Sequence, residues 1–493
     1  MLGYFLGLVL FPMLSGVLCL VPAFKDDRKR NLFVAAVLGL NFVFVLLSFM
    51  QEGAFELLHL TDHLALRFMF DGAGRFFLLL SGLMFLMVGI YSFEYMSHEH
   101  NRPRFYLFYL LTLGALNGVC LSGNYMTLYC FFELMSLLSM PLVLHSQTNE
   151  SIAAAKKYLL YSVFGASLGL GGFFLFTVYG GSTAFVAGGV VADALHHPLQ
   201  LSSDLLFQRN MLLIGAFLAI VGFGAKAGMM PLHAWLPTAH PVAPACASAV
   251  LSGVITKAGV LAILRVVYFL YGSNFLVDTW VQYAWLTLIL LTVLVGSTLA
   301  YKEKILKKRL AYSSVSQVSY VLFGLAGLNA WSLTGALLHA AAHSMIKDVL
   351  FMSAGSIIMH GHTERADRID GMGRKMPMTF ACITVASLGL IGSPPLFGYI
   401  SKWYLCTGAL MTYRNFFSWL GPVVLLISAL LTAGYLFTLT INGYLKNETA
   451  ESDAHEAGAL MLLPMVILCA LIVICGLAPK LVMQLIEFIN TIA

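Results

Sequence analysis

Residues Gly222–Pro237 read GFGAKAGMMPLHAWLP, and this stretch decides what kind of fold the chain has. It continues an apolar run of helical length, yet Lys226 sits inside it and Pro231 and Pro237 interrupt it. Proline within a helix removes a hydrogen bond and kinks the axis. In hydrocarbon, the freed backbone groups are tolerable only where protein or cavity water satisfies them. A second stretch, Leu388–Leu405 (LGLIGSPPLFGYISKWYL), repeats the device with Pro394 and Pro395 ahead of Lys402. Two broken helices in corresponding positions of two halves point to inverted repeats around a central ion path. A purely mechanical kink would need no lysine beside it.

Composition agrees that lipid is the solvent. Of 493 residues, 59% are hydrophobic and only 10% are Asp, Glu, Lys or Arg, against about 25% charged in a soluble chain. A globule so poor in charge would expose large apolar patches. A bilayer core needs about 20 apolar residues per helix, and we read fourteen such runs, the first centred near residue 12 and the last near 474. The expected fold class is all-α: a polytopic membrane protein with fourteen transmembrane helices. Gln51–Gly72 and Gly180–Arg209 are mixed in polarity and suit short surface elements on one membrane face. The first run, Leu2 to Phe24, has no basic residues before it and several after it, which predicts a retained span rather than a cleaved signal.

Lysine and arginine divide unevenly between alternate connections. One side carries eighteen of the 28, in clusters such as Lys25–Arg30, Lys302–Arg309, Arg365–Lys375 and Lys446. The other carries six: Arg67, Arg75, Arg209, Arg265, Arg414 and Lys480. The positive-inside rule then puts both termini on the outer side. The remaining four, Lys226, Lys257, Lys347 and Lys402, fall within apolar runs.

A charge at the bilayer centre costs about 2.5–3.5 kcal/mol even on the lenient insertion scale, so four cost on the order of 10 kcal/mol before pairing. Lys347 stands near the end of its run and has the alternative of reaching the interface; Lys226 and Lys257 are too central for that. Glu133, in YCFFELMSLLSMP, lies deep in the fifth run. A lone buried carboxylate would take a proton, whereas a nearby lysine would keep it ionised, and Lys226 or another basic neighbour is its natural partner. In LLHAAAHSMIKDVLF, His339, His343 and Lys347 stand at i, i+4 and i+8, along one helix face. Histidines so spaced can bind zinc, but no third ligand is evident. A titratable ladder passing protons through water fits better. The hydroxyl-rich stretch Tyr312–Tyr320 serves equally to hold water or to join helices.

Eight cysteines, without a CxxC pair, suit small buried hydrophobes rather than a disulfide or cluster framework. The net charge of +5 comes without a basic stripe or nucleic-acid motif, so no nucleic-acid partner is expected.

The runs GFGAKAGMMPLHAWLPTAHPVAPACASAVLSGVITKAGVLAILR, FFELMSLLSMPLVL, LKKRLAYSSVSQVSYVLFG, LLHAAAHSMIKDVLFMSAG and GSPPLFGYISKW resemble the large antiporter-like subunits. That superfamily includes subunits of respiratory complex I, of multisubunit Na+/H+ (Mrp) antiporters, and of energy-converting membrane hydrogenases and formate hydrogenlyases. The resemblance implies helices 1–3 in residues 1–103, two inverted five-helix repeats in 104–272 and 273–445, and a last helix in 446–493. It implies breaks in helices seven and twelve. It assigns Glu133 as the glutamate that modulates Lys226, Lys257 as the central lysine, His339, His343 and Lys347 as the lateral series, and Lys402 as the terminal residue. Thr238 stands where many relatives carry an acid after WLP. The chain ends soon after the fourteenth run, which implies no long lateral helix of the distal complex I subunit.

The reading that follows is a proton-translocating subunit of a multisubunit, redox-driven complex in a prokaryotic cytoplasmic membrane. Its partners are other membrane subunits, including further antiporter-like ones, together with the lipid bilayer. It has no cofactor of its own, and iron–sulfur, nickel or flavin centres belong to partner subunits. The alternative is the D-type subunit of an Mrp antiporter moving Na+ against H+. A quinone-reducing enzyme lacks flavin, haem or cluster ligands here, and a passive scaffold leaves the buried charge unexplained.

Overall fold

The computed structural model describes residues 1–24, 26–61, 64–196, 201–412, 416–445 and 454–488. Lys25, Arg414 and Lys446 of the charge reading lie outside these residues. The chain is a stack of helices: α1 (Leu2–Leu18), α2 (Asp27–Ser48), α3 (Gly72–Tyr95), α4 (Arg102–Cys120), α5 (Tyr125–Val143), α6 (Asn149–Tyr179), α7 (Ser203–Ala227), α8 (Leu236–Val242) and α9 (Ala245–Tyr271). After these come α10 (Trp280–Lys302), α11 (Leu306–Ala326), α12 (Ala330–Gly361), α13 (Pro377–Ile391), α14 (Phe397–Thr412), α15 (Phe416–Leu445), α16 (Ala459–Leu477) and the short α17 (Lys480–Leu485). Among the described residues, nine helices are long and apolar enough to cross a membrane.

Polar residues at the ends of apolar runs set where helices begin. Asp71, Asn124 and Asn329 each accept from a backbone N–H three residues on, at 2.9 Å, capping α3, α5 and α12. The expectation of an all-helical chain needs one correction. Residues Gly53–Thr61 (β1) and Leu64–Phe70 (β2) form an antiparallel hairpin, with Gly53 opposite Phe70. It occupies the first mixed-polarity stretch, where short elements outside the apolar runs can pair as strands.

Both broken helices are visible. Gly228, in the left-handed region at φ +81°, ends α7, and residues 228–235 run irregularly, with Pro231 among them, until α8 begins with Pro237 in its first turn. Gly392, at φ +93°, ends α13 ahead of Pro394 and Pro395, and α14 restarts at Phe397. Only a glycine takes such an angle without strain. Trp235 Nε1 donates to the Ala225 carbonyl at 2.8 Å, and the Met230 N–H donates to Thr292 Oγ1 at 3.0 Å, so protein groups satisfy part of the first break.

Large apolar side chains such as Leu14, Leu160 and Leu430 are well exposed around the outside, the surface that lipid or neighbouring subunits cover. In contrast, α9 is buried along its whole length, and α12 is buried from Gly335 to Ser356. These enclosed helices are the ones that bear Lys257, His339, His343 and Lys347.

Candidate functional site

Each broken helix presents an ammonium at the carbonyl end of its first half. Such an end carries unpaired carbonyls and a partial negative charge, so it suits a cation. Lys226 stands in the last turn of α7, 1% exposed. Its Nζ donates to Tyr158 Oη at 2.5 Å, Ser136 Oγ at 2.9 Å and Ser162 Oγ at 3.3 Å, and lies 4.3 Å from the Tyr158 ring centre. Lys402 belongs to α14 and reaches back over the break, donating to the Leu390 and Ile391 carbonyls at 2.6 and 2.8 Å.

Glu133 is half-buried, one helical turn before Ser136 on α5. Among the described residues no ion pair joins it to Lys226. The direct partners of that ammonium are the hydroxyl groups of α5 and α6 instead. Sequence reading missed this cage because serine and tyrosine within an apolar run do not announce which neighbour they face.

Lys257 is wholly buried, just past a π-helical turn over Leu251–Ile255. Such a turn is wider than the α-helix and is common at functional sites. Here the Ser252 carbonyl accepts from both Thr256 Oγ1 (2.8 Å) and Lys257 Nζ (2.6 Å). The same Nζ lies 2.5 Å from His343 Nδ1 on α12. The His343 and His339 ring centres are 6.2 Å apart, and His339 Nδ1 is 2.9 Å from Ser401 Oγ, the neighbour of Lys402. Tyr320 stacks on His339 at 5.3 Å and also faces the Lys402 ammonium at 5.3 Å. Lys257, His343 and His339 therefore form one buried line between helices, which leads past Ser401 to the half-buried Lys402. Nε2 of both histidines has no hydrogen-bond partner among the described residues.

Lys347 is fully buried and does not reach the interface; its Nζ donates to the Leu310 carbonyl at 3.0 Å, off this line. The hydroxyl stretch of α11 mostly joins helices. Ser316 bonds Ser297 and Ser428, Ser314 bonds Ser252, and Tyr320 Oη donates to Leu425. Thr238, the departure after WLP, accepts from Lys157 Nζ at 3.0 Å.

Several buried polar groups were not singled out from the sequence. Arg265, counted above among outer-side charges, is in fact 0% exposed and forms a bidentate pair with Asp71 at 2.5 and 2.7 Å. On the lysine-rich side, a groove of about 380 Å³ is lined by Glu99, Glu150, Glu364 and the nearly buried Lys307. Lys307 donates to the Ala243 carbonyl at 2.9 Å, at the junction of α8 and α9. His240, on α8, is fully buried and stacks on Phe351 at 4.7 Å, with neither ring nitrogen bonded among the described residues. Among the described residues, no three His, Cys, Asp or Glu side chains converge as metal ligands, and the eight cysteines are free thiols.

This arrangement can be set beside known proteins. Residues 122–432 match the family described as NADH:quinone oxidoreductase/Mrp antiporter, TM, and residues 59–106 match NADH-ubiquinone oxidoreductase (complex I), chain 5 N-terminus. NADH-quinone oxidoreductase subunit N of Desulforudis audaxviator is 32% identical over 407 residues, 79% of this chain and 77% of that protein. Hydrogenase-4 component B of Escherichia coli is 31% identical over 85% of this chain and 64% of its own length. Na(+)/H(+) antiporter subunit A1 of Staphylococcus aureus is 32% identical over 83% of this chain and 52% of its own length. The chain thus spans under two thirds of these last two relatives.

Solved structures share the fold. The Mrp complex from Dietzia sp. superposes with a TM-score of 0.84 at 19% identity, over 98% of this chain and 96% of that one. An archaeal membrane-bound sulfane sulfur reductase gives 0.84 at 20%, over 99% of each chain. Respiratory complex I from Thermus thermophilus gives 0.81 at 22%, over 99% and 100%. With its many apolar helices, its enclosed lysines and the match over residues 122–432, the chain is an integral membrane protein and belongs to the NADH:quinone oxidoreductase/Mrp antiporter family of antiporter-like subunits.

Proposed function

We propose that this chain moves protons across a prokaryotic cytoplasmic membrane as one subunit of a larger redox-driven complex. Fourteen spans, with both termini outside and two inverted repeats over 104–272 and 273–445, supply the frame. The observation that carries the reading is the line from Lys257 through the buried His343 and His339 to the half-buried Lys402. Amines and imidazoles exchange protons through hydrogen bonds and bridging waters without leaving their helices. The acid-lined groove beside Lys307 opens on the lysine-rich side and serves as the entrance. Lys226, in its hydroxyl cage, loads and unloads under the field of Glu133. Lys402 exchanges with the other face.

Relatives are named as parts of an NADH-quinone oxidoreductase, a hydrogenase and an Mrp complex. By that kinship the partners are other membrane subunits, further antiporter-like ones among them, and redox centres reside in those partners. Kinship to a Na(+)/H(+) antiporter subunit supports the second reading, in which an opposing sodium gradient supplies the energy.

The test uses the intact complex purified through this chain and reconstituted in vesicles. Lys226→Met should leave assembly intact while proton transport falls by at least about tenfold, a barrier change of about 1.4 kcal/mol. Undiminished transport would remove Lys226 from the path.

A further inference from the structure

The line from Lys257 to Lys402 leaves one buried carboxylate unexplained. Asp348, next to Lys347 on α12, is 0% exposed, and neither of its carboxylate oxygens has a hydrogen-bond partner among the described residues. Buried polar atoms are nearly always bonded, so two orphan oxygens on one acid call for a cause. The side chain lies against the π-helical turn of α9. A Cβ built on Gly253 would stand 2.0 Å from Asp348 Oδ1 and 3.0 Å from Oδ2, so the missing side chain there is what admits the carboxylate.

The groups around Asp348 are committed elsewhere. Ser344 Oγ donates to the Gly253 carbonyl at 2.5 Å. From α4, Tyr109 lies within electrostatic range but donates its hydroxyl to the Phe85 carbonyl at 2.7 Å. From α3, Tyr91 donates to the Met352 carbonyl at 2.8 Å. Lys347 turns to the Leu310 carbonyl. Lys257 follows Gly253 by four residues, on the same side of α9, and its charge acts on Asp348 without an ion pair among the described residues.

An ionised carboxylate without donors is costly inside a protein unless an opposite charge matches it. Asp348 therefore has two balanced states: an acid holding a proton, or an anion opposite the Lys257 ammonium. A bound metal cation is the poorer occupant, because a lysine charge already acts on the site and no ligand cluster surrounds it.

We infer that Asp348 and Lys257 form a proton-sharing pair across Gly253, which makes Asp348 an additional proton-holding site beside the lysine–histidine line. The inference rests on the translocation reading above. In the step, a proton leaves Lys257 Nζ, whose lone pair stays on nitrogen, and a carboxylate oxygen of Asp348 gains it. The pair passes from ammonium and carboxylate to amine and acid, and its total charge is unchanged. Lys257 is thereby emptied, ready to take the next proton, with the net charge of the pair unchanged.

The experiment compares Asp348→Asn, Asp348→Glu and Lys257→Met in the intact reconstituted complex, reading transport rate against pH and the infrared carboxylic-acid C=O band. Asp348→Asn should remove one such band, lower transport by about tenfold and move its pH profile by about one unit. Asp348→Glu should restore part of both. Lys257→Met should alter the pH range over which the Asp348 band titrates. Should Asp348→Asn fail to assemble, this last arm still decides, since it keeps Asp348. If Asp348→Asn leaves rate and profile unchanged while Lys257→Met abolishes transport, the pair is refuted and the translocation reading stands. If Lys257→Met transports normally, the translocation reading fails at Lys257. An Asp348 band indifferent to Lys257→Met overturns the pair in either case.

Discussion

Lys257 Nζ stands 2.5 Å from His343 Nδ1 and 2.6 Å from the Ser252 carbonyl oxygen, so one amine is held between a backbone acceptor and an imidazole on the neighbouring helix. An ammonium donating to Nδ1 requires the other ring nitrogen of a neutral imidazole to carry the hydrogen. That nitrogen, Nε2, is unbonded among the described residues, which leaves it free to hand a proton on. His343→Leu keeps the bulk but removes both nitrogens. In vesicles containing the intact complex it should lower proton transport by at least about tenfold while assembly is retained. Transport at the unaltered rate would take His343 out of the relay.

The Arg265–Asp71 pair ties the end of α9 to the start of α3. Arg265 is fully buried, so Asp71→Ala strands an unpaired guanidinium and should destabilise the chain by about 3–5 kcal/mol. Replacing both residues with apolar ones of similar size should recover much of that loss. Thermal unfolding in detergent checks the order: Asp71→Ala lowest, the double variant between it and the unaltered chain. Asp71 also caps α3 through Gly74, so a deficit of about 1 kcal/mol should remain.

Acid sensitivity has an identifiable source outside the spans. In the connection after α5, burial and then the nearby Arg104 guanidinium hold the His145 pKa down to about 4, although its Nε2 is hydrogen-bonded with the His100 carbonyl at 2.9 Å. The unfolded chain takes up a proton there near pH 6.5, roughly the ordinary histidine value. Stability from the neutral ring is therefore complete above about pH 6.5 and is lost as pH falls toward 4, a change on the order of 3 kcal/mol. His145→Gln should flatten the fall in unfolding temperature between those pH values. Parallel curves would assign the acid loss to another group.

Ion choice follows from the chemistry of the line. Its members are amines and imidazoles, which carry protons, whereas a hard cation seeks clustered oxygen ligands. An imposed sodium gradient should therefore create no pH gradient in vesicles holding the complex, while its electron donor should. A sodium-driven pH gradient would favour the antiporter reading instead.

How much of this was legible in the sequence depends on what each residue's neighbours had to say. Lys226, Lys257 and Lys402 stood out because a lysine inside an apolar run has few bland explanations, and prolines beside two of them marked the breaks. The His339–His343 spacing gave one helix face, and both residues lie on the line to Lys402. Partner choice was less accessible. Glu133 looked like the mate of Lys226, yet hydroxyl groups of α5 and α6 hold that ammonium. Arg265 was counted among the charges of the outer-side connections, whereas it is buried within α9 with a partner, Asp71, 194 residues away. Asp348 was not singled out from the sequence, and only the close approach of Gly253 reveals its placement. Such pairings are set by the packing of distant helices, which no local spacing encodes.

The most direct measurement is the initial rate of proton transport by the reconstituted complex carrying Lys257→Met, compared at equal assembly with the unaltered complex. The account predicts a fall of at least about tenfold, with electron transfer by partner subunits still detectable. Full proton transport without that amine would contradict it.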